Sequence, residues 1–447
     1  MLFPYLGLRD ELTERVRCPI HGFIHYSQKE KEVINHPAFQ RLRNIRQLAL
    51  SYYLYPGATH SRFEHSLGVM ELSTKAFEIL ATKHRDRLME ELRQVPEFRE
   101  KTLENARQAL RMLALLHDVG HPAFSHAAES VLPTNDQYIQ MLPGTQKHEQ
   151  VSVYVINEVL RGLLEQLFFP GITDVLVRAF KRSPELTFLR KFVVGELDMD
   201  RTDYLLRDSL HCGVEYGKFD YRRLIESLTV LTHPDSGRLQ LGIERGGEHT
   251  FEALILARYQ MSTQIYYHRL RRIYDAYLIA YMKLWGEENY HSFSDVLRFD
   301  DLRVLVQIED DALSFADSDR TRLAKRIFFR QHHRLIYETG DSADHIKLGR
   351  AKRILRSLKE QFKDIDFHLD DAKASIHKVT FPGQQDGDKV EDFFIVEKDG
   401  NLRLITEDSA ILEKIPKEFR NVRIFADAPT EMRAQISKVA RDAERMN

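Results

Sequence analysis

Cysteine is scarce in this chain. Only Cys18 and Cys212 occur among 447 residues, with no CxxC pair, which excludes a disulfide scaffold and a zinc ribbon and fits a reducing, cytoplasmic setting. A surplus of charge is missing as well: 65 Lys and Arg against 67 Asp and Glu leave a net charge of −2, with no global pull toward nucleic acid or an anionic membrane. There is no apolar run of membrane length. The most apolar longer region, 160–177, carries Arg161, Glu165 and Asp174 and cannot span a bilayer. The opening residues, MLFPYLGLRDELTERVR, meet charge too early for a secretory apolar core. Tandem repeats and low-complexity segments are lacking too. What remains is 43% hydrophobic and 30% charged residues, an ordinary globular composition with length for two or three domains.

Residues 1–30 read as a short helix, then a brief strand or hairpin at CPIHGFIHY (18–26) with Gly22 at its turn. From 30 to about 285, apolar residues recur at spacings of three and four, as in Phe39/Leu42/Ile45 and Leu110/Leu113/Leu116, which predicts helices. Breakers fall at Pro56-Gly57, Pro133, Pro143-Gly144, Pro170-Gly171, Pro184 and 234–237. TVLTHPDSGRLQLGIE (229–244) alternates around its turn and predicts a hairpin within the helical region. Residues 292–337 read as helical again and 341–362 as a basic helix. Beyond about 364 the texture changes: 373–379, 393–398 and 402–405 alternate as short strands, Asp399-Gly400 signals a hairpin, and 430–447 reads as a terminal helix.

One stretch organises the rest: LALLHDVGHPAFSHAA (113–128). Imidazole and carboxylate both suit borderline and hard divalent metals, and neighbours on a helix point about 100° apart, so His117 and Asp118 can hold one ion and reach toward a second. His121 follows four residues after His117. Gly120 and Pro122 predict that the helix stops there, with 121–126 lining a loop at its mouth. Alone, an HD dipeptide is as readily chance as a site. Its companions are His65 in YPGATHSRFEHSLGV (55–69), His148-Glu149 in QKHEQVS at a helix start, and Asp200 in GELDMDRTDYLLRD. Only tertiary folding can unite them.

This ordered set resembles the HD-domain phosphohydrolases, and within them the deoxynucleoside triphosphate triphosphohydrolases of dGTPase-like type. The resemblance runs from Pro19-Ile20-His21-Gly22 through FQRLRNIRQL (39–48), PGATHSRFEHSLGV, LLHDVGHPAFSH, HEQ and DMDRTDY to about residue 337. The sterile-alpha-motif domain of the vertebrate members has no counterpart expected here. The implied fold is mostly α: an HD-domain helical core with a small hairpin (1–290), a helical extension (291–364) and a small C-terminal α+β appendage (365–447).

The resemblance implies a divalent ion (Mn, Fe, Mg or a mixed pair) on His65, His117, Asp118 and Asp200, with positions left for water and phosphate oxygens. Such an ion lowers the pKa of bound water toward about 7, and metal-hydroxide attack at the α-phosphorus would release a deoxynucleoside and inorganic triphosphate. His126 is implied as general acid for the departing 5′ oxygen, since imidazole titrates near neutrality. His121 and His148, with Glu149, would steady the α-phosphate and the water. Arg62, Arg201 and Arg258 match phosphate-contacting positions, Arg201 standing where relatives often carry Lys. Tyr204 and Asp208 share a helical face with Arg201 and match sugar contacts. Gln47 and Leu48 match 3′-hydroxyl and deoxyribose contacts, and Tyr266 and His268 match base-side and phosphate-side positions. Discrimination against ribose would be steric.

A dNTP or GTP effector bound between subunits of a dimer or tetramer is the further expectation, at Asn35, Gln40 and Arg43. Asn35 departs from the acidic residue of guanine-gated relatives. Two other readings stand beside this one. Another HD phosphohydrolase chemistry, a nucleoside monophosphatase or cyclic-nucleotide phosphodiesterase, would share the metal site without needing the three arginines. A non-catalytic nucleic-acid-binding relic is disfavoured by near-neutral charge and an intact ligand set.

Overall fold

A computed structural model of the chain describes residues 12–134, 137–142, 146–379 and 392–445. The helix expected near the N-terminus falls partly on residues 1–11, and the break at Pro143-Gly144 and the end of the terminal helix also fall outside the described residues. Most of the remainder is helical. No helix among the described residues is long and apolar enough to cross a membrane.

The hairpin β1 (Glu14–Cys18) and β2 (Gly22–Tyr26) turns at Gly22, whose φ of 77° lies in the left-handed region that glycine enters without steric cost. The helices Arg62–Lys83, Thr102–Leu116 and Met199–Cys212 then pack together. Leu67, Met70, Phe77, Leu110, Leu113 and Leu205 from these helices all belong to one buried apolar cluster. The expected hairpin is present as β3 (Leu228–Thr232) and β4 (Leu239–Glu244), paired antiparallel.

The C-terminal third differs from expectation in three places. Residues 292–337 are helical only to Phe328, and Arg334–Glu338 is a strand, β5. The strand expected at 373–379 instead spans Asp366–Ser375, β6. A ten-residue strand at Glu418–Asp427, β9, was not expected and forms the centre of the sheet β5-β9-β6. Its two faces serve different cores: Val422, Ile424 and Ala426 pack with the helices His345–Gln361 and Thr430–Arg445, while Phe419 and Phe425 join the main cluster. A strand buried on both sides shows no polar alternation.

The short strands β7 (Phe394–Val396) and β8 (Leu402–Leu404) join β3 and β4 in a four-stranded sheet. β7 runs parallel to β4, with Ile395 opposite Ile243. Residues 394–404 are thus built into the same sheet as the 228–244 hairpin.

Candidate active site

Helix ends bring the HD cluster together. Ser61 and Glu64 form a capping box that starts the helix Arg62–Lys83, setting Arg62 and His65 one turn apart and both buried. The helix Thr102–Leu116 ends at His117, whose Nδ1–H donates to Ala114 O at 2.8 Å and so turns Nε2 outward. Asp198 caps the helix Met199–Cys212 by accepting from Arg201 N at 2.7 Å, which places Asp200 in the first turn.

Asp200 Oδ1 lies 2.9 Å from His65 Nε2 and 3.6 Å from His117 Nε2. Asp118 Oδ1 lies 3.3 Å from His117 Nε2, and its Oδ2 lies 3.7 Å from His65 Nε2. Ligand atoms of His65, His117 and Asp118 fall within 4.8 Å of one another, and His117 Nε2 is buried without a hydrogen-bond partner. Two imidazoles and two carboxylates converging around an unpaired nitrogen fit a divalent cation. Burial disfavours charge on His65, but hydrogen bonds donated to Asp200 and Asp203 and their charges outweigh it and push its pKa up to about 10. The pocket stabilises positive charge.

His65 is held from behind. Its Nδ1 lies 2.8 Å from Asp203 Oδ2, and Asp203 also takes His21 Nε2 at 2.6 Å and the Arg207 guanidinium at 2.8 Å. A carboxylate on the far nitrogen fixes the tautomer that presents Nε2 to a metal. Gly68 makes this approach possible, because a Cβ there would sit 1.9 Å from Asp203 Oδ1.

A second cluster faces the first. His121 is fully buried, its Nε2 3.3 Å from Asp118 Oδ1, and neither ring nitrogen makes a hydrogen bond. Burial, with the charges of Arg62 and His148, holds its pKa well below the usual histidine value. His148 comes from the helix Lys147–Tyr154 and stacks on His121 at 3.9 Å and 17°. That helix seats directly on the histidine loop at Gly120, where a Cβ would meet Ser152 N at 2.2 Å and His148 O at 2.4 Å. His126 opens into the cavity, its side chain 62% exposed.

Glu129, which the sequence reading missed, joins the two histidines: Oε1 meets His148 Nδ1 at 2.9 Å and also pairs with His126 Nδ1. The only signal available was its place three residues after His126. Glu149 also lines the cavity, but its carboxylate accepts from Gln146 N at 3.1 Å as a helix cap. His121, His126, Glu129 and His148 offer ligand atoms within 4.8 Å of one another.

The cavity between the clusters has a volume of about 290 Å³. Gln47, Arg62, His117, Asp118, His121, His126, His148, Glu149, Asp200, Arg201, Tyr204 and Arg258 all line it. Arg62 donates Nε to Ser125 Oγ at 2.7 Å and pairs with Asp118. Together with burial, which acts the other way, this pair and the nearby histidines leave the Asp118 carboxyl well below its usual range. Arg201 and Arg258 flank the buried Glu196, another residue not foreseen, at 3.3 and 3.7 Å. Neither Nη1 atom makes a hydrogen bond. Arg258 also donates to Ser375 O at 2.9 Å, so the C-terminal third reaches the cavity wall.

Other expected residues stand behind this wall. Asp208 is buried and accepts from Tyr266 OH at 2.7 Å, with His60 Nε2 at 2.7 Å on its other oxygen. Tyr266 packs edge-on against Tyr204 at 6.1 Å. Leu48 is buried, and His268 caps the helix Arg269–Asn289 by accepting from Leu270 N. Asn35 is exposed; Arg43 donates to Gln40 at 2.7 Å and lies over the Phe63 ring. None of these three lines the cavity.

A family model of the HD-associated region matches residues 219–443, and one of the HD domain matches 62–205. The chain belongs to the HD-domain family. The HD match includes all four expected ligands, and the associated region contributes Arg258 and Ser375. An uncharacterized protein of Methanocaldococcus jannaschii is 32% identical to this HD-domain protein over 70% of the chain and 57% of its own length. The deoxynucleoside triphosphate triphosphohydrolase SAMHD1 of Mus musculus is 25% identical over 86% of the chain and 63% of its own length. The chain thus spans less than two thirds of these curated relatives. A hypothetical protein from Aquifex aeolicus superposes with a TM-score of 0.72 at 26% identity, covering 95% of this chain and 99% of its own.

Proposed function

We propose that this HD-domain protein is a metal-dependent phosphohydrolase that cleaves deoxynucleoside triphosphates to deoxynucleoside and inorganic triphosphate. The observation that carries the reading is one cavity lined by His117, Asp118 and Asp200, by His121, His126 and His148, and by three arginines, with His65 and Glu129 in contact with these groups. The similarity to SAMHD1 enzymes supports the substrate class. His65, His117, Asp118 and Asp200 would hold the divalent ion, which when bound supplies Lewis acidity toward phosphoryl oxygens and water.

The chain's own residues do the rest. Glu129 holds the Nδ1 side of His126, leaving Nε2 to protonate the departing 5′ oxygen. His121, kept neutral by its surroundings, accepts a hydrogen bond from water or a protonated phosphate oxygen. Arg201 and Arg258, whose Nη1 atoms face the buried Glu196, line the cavity and take the outer phosphates with their guanidinium charge. Tyr204 walls the sugar side, so that a 2′-hydroxyl would meet its ring.

The test is incubation of the purified protein with each dNTP and Mn²⁺ or Mg²⁺, with and without added nucleotides, scoring inorganic triphosphate against pyrophosphate and phosphate. Triphosphate release that disappears in His117→Ala, with the fold intact by circular dichroism, supports the proposal. Phosphate from monophosphates, or no product from any dNTP, refutes it.

A further inference from the structure

Three consecutive residues of the HD-associated region tie the 41–46 segment to the 121–124 loop of the HD domain. Asp301 opens the helix Asp301–Leu313, and its side chain is fully buried. Oδ1 accepts from Phe124 N at 2.7 Å and Oδ2 accepts from Arg46 N at 3.0 Å. Beside it, Asp300 accepts from Asn44 Nδ2 at 2.9 Å, and Phe299 O accepts from Arg41 at 3.0 Å. Arg41 also donates to His121 O at 2.6 Å.

The segment held in this way is strained. Phe124 and Ser125 have φ of 61° and 55°, a region that side chains with a Cβ avoid unless their surroundings impose it. Ser125 Oγ accepts from Arg62 Nε at 2.7 Å and donates to Arg46 O at 3.0 Å, while Arg62 pairs with Asp118. His126 is the next residue.

We infer that Asp301 is a positioning residue: by gripping the Phe124 and Arg46 amides it fixes the Ser125–His126 backbone, and through Ser125 the seat of Arg62 against Asp118. It touches neither the expected metal ligands nor the space for substrate. The activity arm of its test rests on the phosphohydrolase reading; the exchange arm does not.

Asp301→Asn keeps the shape but turns one acceptor into a donor facing an N–H group. Hydrogen exchange of the full chain, read by mass spectrometry, should rise at 44–48 and 119–131 and stay unchanged in the helices 62–83 and 102–116. Bound metal per chain should be retained. With dNTP substrate, kcat should fall by about 10- to 100-fold with KM nearly constant. Asp310→Asn, on the exposed face of the same helix, should match the parent. Asn44→Ala cuts the neighbouring tie without touching a buried charge, should give the same local pattern more weakly, and decides the matter if Asp301→Asn does not fold. Wild-type exchange at 119–131 in both variants, or a uniform rise along the chain, overturns the inference. A missing activity in the parent protein overturns the functional reading instead.

Discussion

Replacing Gly68 with alanine tests the ligand geometry from behind. In mid-helix, alanine is favoured over glycine by about 1 kcal/mol, so an indifferent site would gain stability. A Cβ at 68 would lie 1.9 Å from Asp203 Oδ1 and 2.5 Å from Arg207 Nη2. Neither side chain can swing away, because both are fully buried and paired to each other at 2.8 Å. The carboxylate must retreat and release His65 and His21, or the helix must shift and carry His65 with it. Overpacking costs about 1–3 kcal/mol, and each stranded buried partner costs about 1–3 kcal/mol more. With both histidines released, the balance is a net loss of about 2–8 kcal/mol after the helix gain. Loss of support behind a ligating histidine weakens metal binding by about 10- to 100-fold. At Mn²⁺ near one hundred times the parent's Kd, the parent gains about 2.7 kcal/mol from the metal, and the variant only about 0.4–1.4 kcal/mol. Denaturation with and without Mn²⁺, alongside metal counts per chain, measures both effects. A variant that melts at or above the parent with an equal metal increment would refute the reasoning.

Glu129→Gln should lower turnover by about 10- to 100-fold while KM holds, since it loosens the His126 ring rather than substrate contacts; steady-state kinetics with one dNTP decide this. Arg201→Ala should act the other way, raising KM by about 10-fold or more through a lost charged hydrogen bond while turnover changes less; a pure loss of kcat would sink that assignment. Burial raises the Asp301 carboxyl from 3.8 to about 7, against the pull of its two amide donors and of Arg46, with Asp300 pushing it further up and Arg41 and Tyr290 nearby. The folded chain then binds this proton more tightly than the unfolded one, so its contribution is full below about 4 and lost as pH rises through about 7. In urea titrations, the stability of wild type minus that of Asp301→Asn should be larger at pH 5 than at pH 8; a difference that grows with pH contradicts the sign.

Legibility in the sequence followed the range of the interaction. The HD stretch was readable because its chemistry is local: a helix that stops at His117, with His121 just beyond Gly120. Glu129 directly follows that stretch and carries no mark of its own, whereas Glu149 stands beside His148 although its carboxylate only caps a helix. Glu196, Asp203 and Asp301 were invisible for another reason. Beside any near partner, such as Arg201 for Glu196 and Arg207 for Asp203, each works through residues distant in sequence: Arg258, His21 with His65, and Arg46 with Phe124. β9 hid because both of its faces are buried, and because Arg423, buried against Tyr267 O and Asp370, broke the apolar run. β5 hid because Leu335, Ile336 and Tyr337 form a contiguous apolar triplet that suits helix and strand alike.

The pairing of Ile243 with Ile395 makes the sheet wait for the last part of the chain to be synthesised. All four expected metal ligands have left the ribosome once residue 200 is out, yet the grip on Phe124 waits for residue 301, the carbonyl on Arg258 for 375, and the strands β7 and β8 for 404. A growing chain therefore owns the ligands long before it owns the frame that aims them, and competence arrives late, as the final third docks.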